Sequence, residues 1–137
     1  MLNQEIANIL FEMAELLEME EVAFKPRAFE KAAHSIEALE KDIVEIYKKG
    51  GIKALEEIPG VGKGIAERIE EYIKTKRVKD YEKLKKKIPV DLKSLSAIEG
   101  IGPKLIKTLY QKLKIKNAAE LEKAARTGKL RKLPRFG

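Results

Sequence analysis

The sequence predicts an all-α protein, a small helical bundle organised around two copies of one hairpin. Ile58-Pro-Gly-Val-Gly-Lys-Gly64 and, forty residues later, Ile98-Glu-Gly-Ile-Gly-Pro-Lys104 each join an apolar residue, a Gly-x-Gly turn and a basic residue to an amphipathic stretch. Ile65, Ile69 and Ile73 after the first turn, and Leu105, Leu109 and Leu113 after the second, recur at i, i+4, i+8, which is one face of a helix. No segment alternates apolar and polar residues long enough to make a strand.

The elements follow in order. Ile6, Ile9, Leu10, Met13, Leu16 and Leu17 form a helical stripe from Met1 to about Met19, with glutamates opposite. Glu20-Glu21 and Lys25-Pro26 mark a break, because a residue before proline avoids the α region. A second helix is expected over Arg27–Leu39, burying Ala28, Phe29, Ala32, Ala33 and Ile36. Asp42–Lys49 reads as a third, stopped by Gly50-Gly51. A short helix over 52–57 leads into the first turn, 63–75 follows it, and Tyr81–Lys87 is another short helix. Asp91 is the N-cap that opens the second hairpin, and Asn117 caps a last helix ending near Thr127-Gly128. The expected division is residues 1–87 and 88–137.

The duplication extends to Ile52-Lys-Ala-Leu55 and Leu92-Lys-Ser-Leu95 ahead of the turns. Glycine at both turn positions is expected to allow φ > 0 and a close approach to a partner. The helix that follows points unpaired N–H groups and its positive dipole end at whatever lies over the turn, which makes an anion receptor. Two in tandem suit a ligand with regularly spaced phosphates. This is the pattern of a helix-hairpin-helix motif, which grips a nucleic-acid backbone without reading bases. A truncated third copy is expected at Leu133-Pro-Arg-Phe-Gly137, with Arg135 in place of the first glycine. The chain stops where its helix should begin, as a fragment of a longer protein or a lone module would.

Composition agrees. The 137 residues are 44% hydrophobic and 37% charged, with a net charge of +7 and no cysteine. That excludes disulfides, thiol catalysis and Cys-based zinc sites, and fits a reducing cytoplasm. There is neither a long apolar run nor a signal-peptide pattern, so no membrane is expected. Abundant Lys, Glu and Ile without Cys or Trp is the bias of a heat-adapted organism. The charge is unevenly placed: residues 1–50 carry 6 basic and 11 acidic side chains, residues 51–137 carry 23 and 11. The basic excess lies with the hairpins.

With Phe24-Lys-Pro-Arg-Ala-Phe-Glu-Lys-Ala-Ala-His-Ser-Ile36 added to the two hairpins at these separations, nearly the whole chain resembles the N-terminal region of family X DNA polymerases, in its bacterial and archaeal form. The resemblance implies a lyase-type domain that holds the downstream side of a gap and its 5′-phosphate, then a second hairpin domain on the primer side. The DNA-binding positions it implies are Gly60, Val61, Gly62, Lys63, Gly64 and Arg68 in the first hairpin. Gly100, Ile101, Gly102, Lys104 and Lys107 are their counterparts in the second, and Lys25, Lys31 and His34 lie on the preceding helix. It also implies a monovalent cation, Na+ or K+, at each hairpin. Its ligands are the backbone carbonyls of Glu56, Ile58 and Val61, and of Ser96, Ile98 and Ile101. Mg2+ belongs to the polymerase palm, which this chain lacks: no Asp-x-Asp pair occurs in residues 51–137.

The family's 5′-deoxyribose-phosphate lyase needs a lysine on the helix after the first turn, and Arg68 stands at that position. A Schiff base requires a neutral primary amine, whereas a guanidinium stays protonated. It can still clamp a phosphate bidentately. Phe29 replaces a tyrosine of some relatives, and Gly64 replaces a basic residue. Tyr47, Tyr72, Tyr81 and Tyr110 are expected at core boundaries rather than in base stacking. The expectation is therefore a monomeric, cytoplasmic, non-catalytic region that binds gapped or nicked DNA for a repair polymerase. Two other readings stay open: an active lyase using Lys63 or Lys31, and a free-standing DNA-binding adaptor whose acidic residues 1–50 dock a protein.

Overall fold

The computed structural model describes residues 1–23 and 25–132, with the side chain of Lys132 excepted. Phe24 and the third-hairpin residues Leu133–Gly137, Arg135 among them, lie outside the described residues. Eight α-helices and one 3-10 helix occur among the described residues, with no strand. The chain divides into two compact units, Met1–Lys86 and Lys87–Gly137.

The first unit contains α1 (Asn3–Met19), α2 (Lys25–Glu37), α3 (Ile43–Glu56), α4 (Lys63–Thr75) and most of α5 (Lys79–Lys87). Helices α1 and α2 pack together along their length, and α3 packs on α4. Helix α2 starts at Lys25, two residues before the expected Arg27. Pro26 sits in its first turn, where the missing N–H is one that no helix would satisfy. Helix α3 is broken at Gly51 (φ 65°, ψ −155°), so the expected stop and the short helix before the turn meet at that residue. Ile6, Leu10 and Met13 of α1, Phe29, Ala32, Ala33 and Ile36 of α2, Ile43 and Leu55 of α3, and Ile65, Ala66 and Ile69 of α4 form the core. Ala28, expected inside, is exposed, while Ile9 and Leu17 are only partly buried.

Polar ties complete this unit. Asn3 is buried; its Nδ2 donates to the Lys41 carbonyl (2.8 Å) and its Oδ1 accepts from the Ile43 amide (2.9 Å), anchoring the start of α1 to the start of α3. Three tyrosines each donate to a glutamate of another helix. Tyr47 of α3 donates to Glu70 of α4 (2.6 Å), Tyr72 of α4 to Glu5 of α1 (2.8 Å), and Tyr81 of α5 to Glu12 of α1. Two glutamates of α1, Glu5 and Glu12, thus serve as acceptors for bonds within this unit.

The second unit contains α6 (Leu92–Ser96), α7 (Pro103–Leu113), α8 (Ala118–Arg126) and a 3-10 helix over Lys129–Lys132. Val90, Leu92, Leu95, Ile106, Leu109, Ile115, Leu121 and Ala124 are its buried apolar residues. On α7 the expected stripe is displaced: Ile106 is buried and Leu105 and Leu113 only half-buried. The Asp91 amide donates to the Lys116 carbonyl (2.6 Å), and the Ala118 amide donates to Ser94 Oγ (3.2 Å). These bonds bring the start of α8 beside α6.

Candidate nucleic-acid interface

The two turns have the same backbone, bond for bond. In the first, the Ile58 amide donates to the Leu55 carbonyl (3.1 Å), Val61 to Ile58 (2.9 Å) and Ala66 to Gly62 (2.9 Å). In the second, Ile98 donates to Leu95 (3.1 Å), Ile101 to Ile98 (3.1 Å) and Ile106 to Gly102 (3.0 Å). Gly60 and Gly100 both have φ 84°.

Only the first glycine of each pair uses the left-handed region, contrary to the expectation for both. Gly62 (φ −91°, ψ −175°) and Gly102 (φ −110°, ψ 178°) are extended N-caps, a conformation open to any residue. A Cβ at either would meet no protein atom within 4 Å. Packing therefore does not explain glycine there, but an unobstructed helix start does. Asp42, Asp91 and Asn117 cap α3, α6 and α8 by accepting from backbone amides, whereas no side chain caps α4 or α7. Neither hairpin helix has an acidic residue in its first turn. The two hairpin helices thus present positive ends that no carboxylate or amide side chain satisfies.

The basic side chains differ between turns. Lys31 of α2 lies against the first turn: a Cβ on Gly60 would sit 2.9 Å from Lys31 Cγ and 3.3 Å from the Ala32 amide nitrogen. Lys25, Lys31, Lys63 and Lys104 are exposed and Lys107 half-exposed. His34 is turned to other company, with its ring edge-on to Phe11 of α1 (4.8 Å between centroids) and Nε2 3.8 Å from Glu30. In the second unit 13 basic side chains outnumber 4 acidic ones, whereas the first unit has 16 and 18.

Arg68 is more constrained than its sequence position suggests. Its Nη1 donates to the Gly64 carbonyl (2.9 Å), its Nη2 to Asp80 of α5 (2.8 Å), and Cζ lies 5.4 Å over the Phe29 ring. Gly64 leaves the room, since a Cβ there would meet Nη1 at 3.3 Å. Asp80 carries no local spacing signal, being twelve residues on and in another helix.

A second repeated feature escaped the sequence reading. Lys76 (φ 60°) caps the C-terminus of α4 and Lys114 (φ 56°) that of α7, each amide donating to a tyrosine carbonyl four residues back, Tyr72 or Tyr110. Each ammonium lies over that tyrosine's ring, at 5.7 and 5.5 Å. The visible signal is Tyr-x-x-x-Lys in both, hidden because α7 is two residues shorter (11 against 13) and the spacing shifts. Among the described residues no helix is long and apolar enough to cross a membrane, and no group of three or more His, Cys, Asp or Glu could hold a metal.

Comparison with known proteins agrees with this geometry. Residues 1–78 match the helix-hairpin-helix domain, and residues 92–137 match the SAM-like helix-hairpin-helix tandem. The chain is 32% identical over 114 residues, 83% of its length, to the DNA polymerase/3′-5′ exonuclease PolX of Bacillus subtilis, and spans about a fifth (19%) of that relative. The chain belongs to the helix-hairpin-helix family, in the form carried by the N-terminal region of family X DNA polymerases.

Proposed function

We propose that this chain binds gapped or nicked DNA through its backbone phosphates, without sequence preference, as the N-terminal part of a family X repair polymerase. The observation that carries this is the pair of turns with matching backbone bonds, each leading into a helix that no side chain caps. Amides and lysines contact phosphates, which position a protein on DNA but do not encode sequence. The first hairpin, with Lys25, Lys31, Lys63 and Arg68 and with His34 of the same α2 helix, takes the downstream strand and its 5′-phosphate. The second hairpin, with Lys104 and Lys107, takes the duplex on the primer side. The carbonyls of Glu56, Ile58 and Val61, and of Ser96, Ile98 and Ile101, are neutral oxygen donors suited to Na+ or K+. Ile58 and Ile98 each spend one lone pair on a turn amide and keep another.

Affinity measured by fluorescence anisotropy should fall steeply with salt, with a log–log slope of about −0.9 for each phosphate neutralised. A salt-insensitive affinity, or one that varies with base sequence, rules the reading out. Lys63→Ala with Arg68→Gln should remove any preference for a 5′-phosphorylated gap, whereas Lys104→Ala with Lys107→Ala should weaken plain duplex. Equal profiles for the two double variants would mean one undifferentiated basic surface.

Lyase activity is weak or lost in this reading because Arg68 cannot supply a neutral amine. Lys31, whose stem lies against Gly60, keeps a second reading in view. Borohydride reduction on a deoxyribose-phosphate end should trap little adduct, and strong trapping at Lys31 or Lys63 would establish the lyase instead.

A further inference from the structure

The Arg68 guanidinium is held on three sides and left incomplete on a fourth. Gly64, Asp80 and Phe29 engage Nη1, Nη2 and the π-face, while Nε is buried with no acceptor. The side chain lines a small apolar crevice together with Ile6, Leu10, Ile69, Tyr72 and Val78. The bond to Gly64 lays the guanidinium along the first turn of α4, the uncapped helix start. The pair with Asp80 is partly exposed, with 27% of the Arg68 side chain and 51% of Asp80 accessible, so an anion from solvent can reach it.

We propose that Asp80 is a built-in anion that occupies Arg68 and sets how strongly the first hairpin prefers a terminal phosphate. This rests on the proposed reading that Arg68 faces the 5′-phosphate. Asp80 meets the guanidinium through one oxygen. A terminal phosphate carries close to two negative charges near neutral pH and three acceptor oxygens, enough to satisfy a guanidinium edge bidentately. A phosphodiester carries a single charge and displaces the carboxylate less well. While Asp80 holds Arg68, the apparent affinity for a 5′-phosphorylated end is lowered by the fraction of guanidinium left free. The contact therefore restrains the grip on a terminal phosphate.

The full chain is titrated against a gapped duplex carrying either a 5′-phosphate or a 5′-hydroxyl. Asp80→Asn should raise the phosphate-to-hydroxyl affinity ratio about two- to fivefold, the factor expected for releasing a partly exposed ion pair, and leave the hydroxyl substrate unchanged. Arg68→Gln should abolish the preference and make Asp80→Asn silent in its background. Asp80→Ser guards against a change peculiar to asparagine, with circular dichroism to confirm the fold. An unchanged or lowered ratio in folded Asp80→Asn and Asp80→Ser overturns the proposal. A wild-type chain that binds both substrates with steep salt dependence but equal affinity overturns the placement of Arg68 at the 5′-phosphate, and this inference with it. Failure to bind either substrate overturns the hairpin reading itself.

Discussion

At Gly60 and Gly100 the backbone turns through the same φ, and the bonds on either side match, but the two turns sit in different surroundings. The first is packed against Lys31 and Ala32 of α2, is followed by an arginine tied to Asp80, and belongs to a unit with two more acidic than basic residues. The second has open space around Gly100 and belongs to a unit whose cations outnumber its carboxylates 13 to 4. One backbone device therefore sits in two electrostatic settings: one with an ion pair beside the turn, the other with a large excess of cations over carboxylates. In the proposed reading the first setting takes a single terminal phosphate and the second a continuous duplex.

The largest test of this contrast is structural. Ile69 and Leu109 occupy equivalent places in the repeat, and both are buried. Replacing either with alanine should cost about 2–5 kcal/mol. The second unit spans only Lys87–Gly137, and so small a core has little stability to lose. Leu109→Ala should therefore unfold that unit, whereas Ile69→Ala should leave the larger unit folded with a lower melting temperature. Resolved amide NMR signals before and after each substitution would decide; equal tolerance would show that the second unit is not the weaker one.

The glycines give an intermediate effect. Gly60→Ala meets both a left-handed φ and the crowding of α2, and should destabilise by about 1–3 kcal/mol. Gly100→Ala meets only the φ, and should cost about 1–2 kcal/mol. Gly62→Val and Gly102→Val should cost no more than about 0.5–1 kcal/mol, the loss of a good N-cap residue, and weaken DNA binding, because their Cβ positions face no protein atom. A drop in stability for Gly62→Val comparable to that for Gly60→Ala would erase the distinction between the two glycines of the turn.

The smallest effect concerns pH. The Glu70 bond holds the Tyr47 phenol above its usual pKa; burial followed by the glutamate bond does the same for Tyr72 and, most strongly, for Tyr81. The protonated phenols make these bonds, so their contribution is complete below the ordinary phenol pKa of about 10 and is lost as pH climbs above it. Thermal stability of the first unit should be level from neutrality to about pH 10 and then fall. Tyr47→Phe, Tyr72→Phe and Tyr81→Phe together should lower the plateau and flatten that fall. An unaltered alkaline limb would show that these bonds do not matter to stability.

The repeat itself was open to reading because it is local. A Gly-x-Gly turn, a following stripe, Asx caps at Asp91 and Asn117, and the bounds of α4 all depend on residues within a turn or two of one another. The two glycines of each turn look alike in sequence, but a φ value is a property of the folded chain, and it separated Gly60 from Gly62. Nothing near Asn3 in sequence offers its side-chain amide a partner, and only the return of the chain at Lys41–Ile43 supplies both. Arg68 read as a free phosphate clamp. Its pairing with Asp80, its stacking on Phe29 and the room left by Gly64 arise from three elements that no spacing rule connects. By itself the sequence determined the hairpins, their helices and the uneven charge, because short-range geometry and counting suffice for those. Which cations stay available to a ligand was decided by tertiary structure, because ion pairs form between side chains that folding, and not sequence proximity, brings within 3 Å.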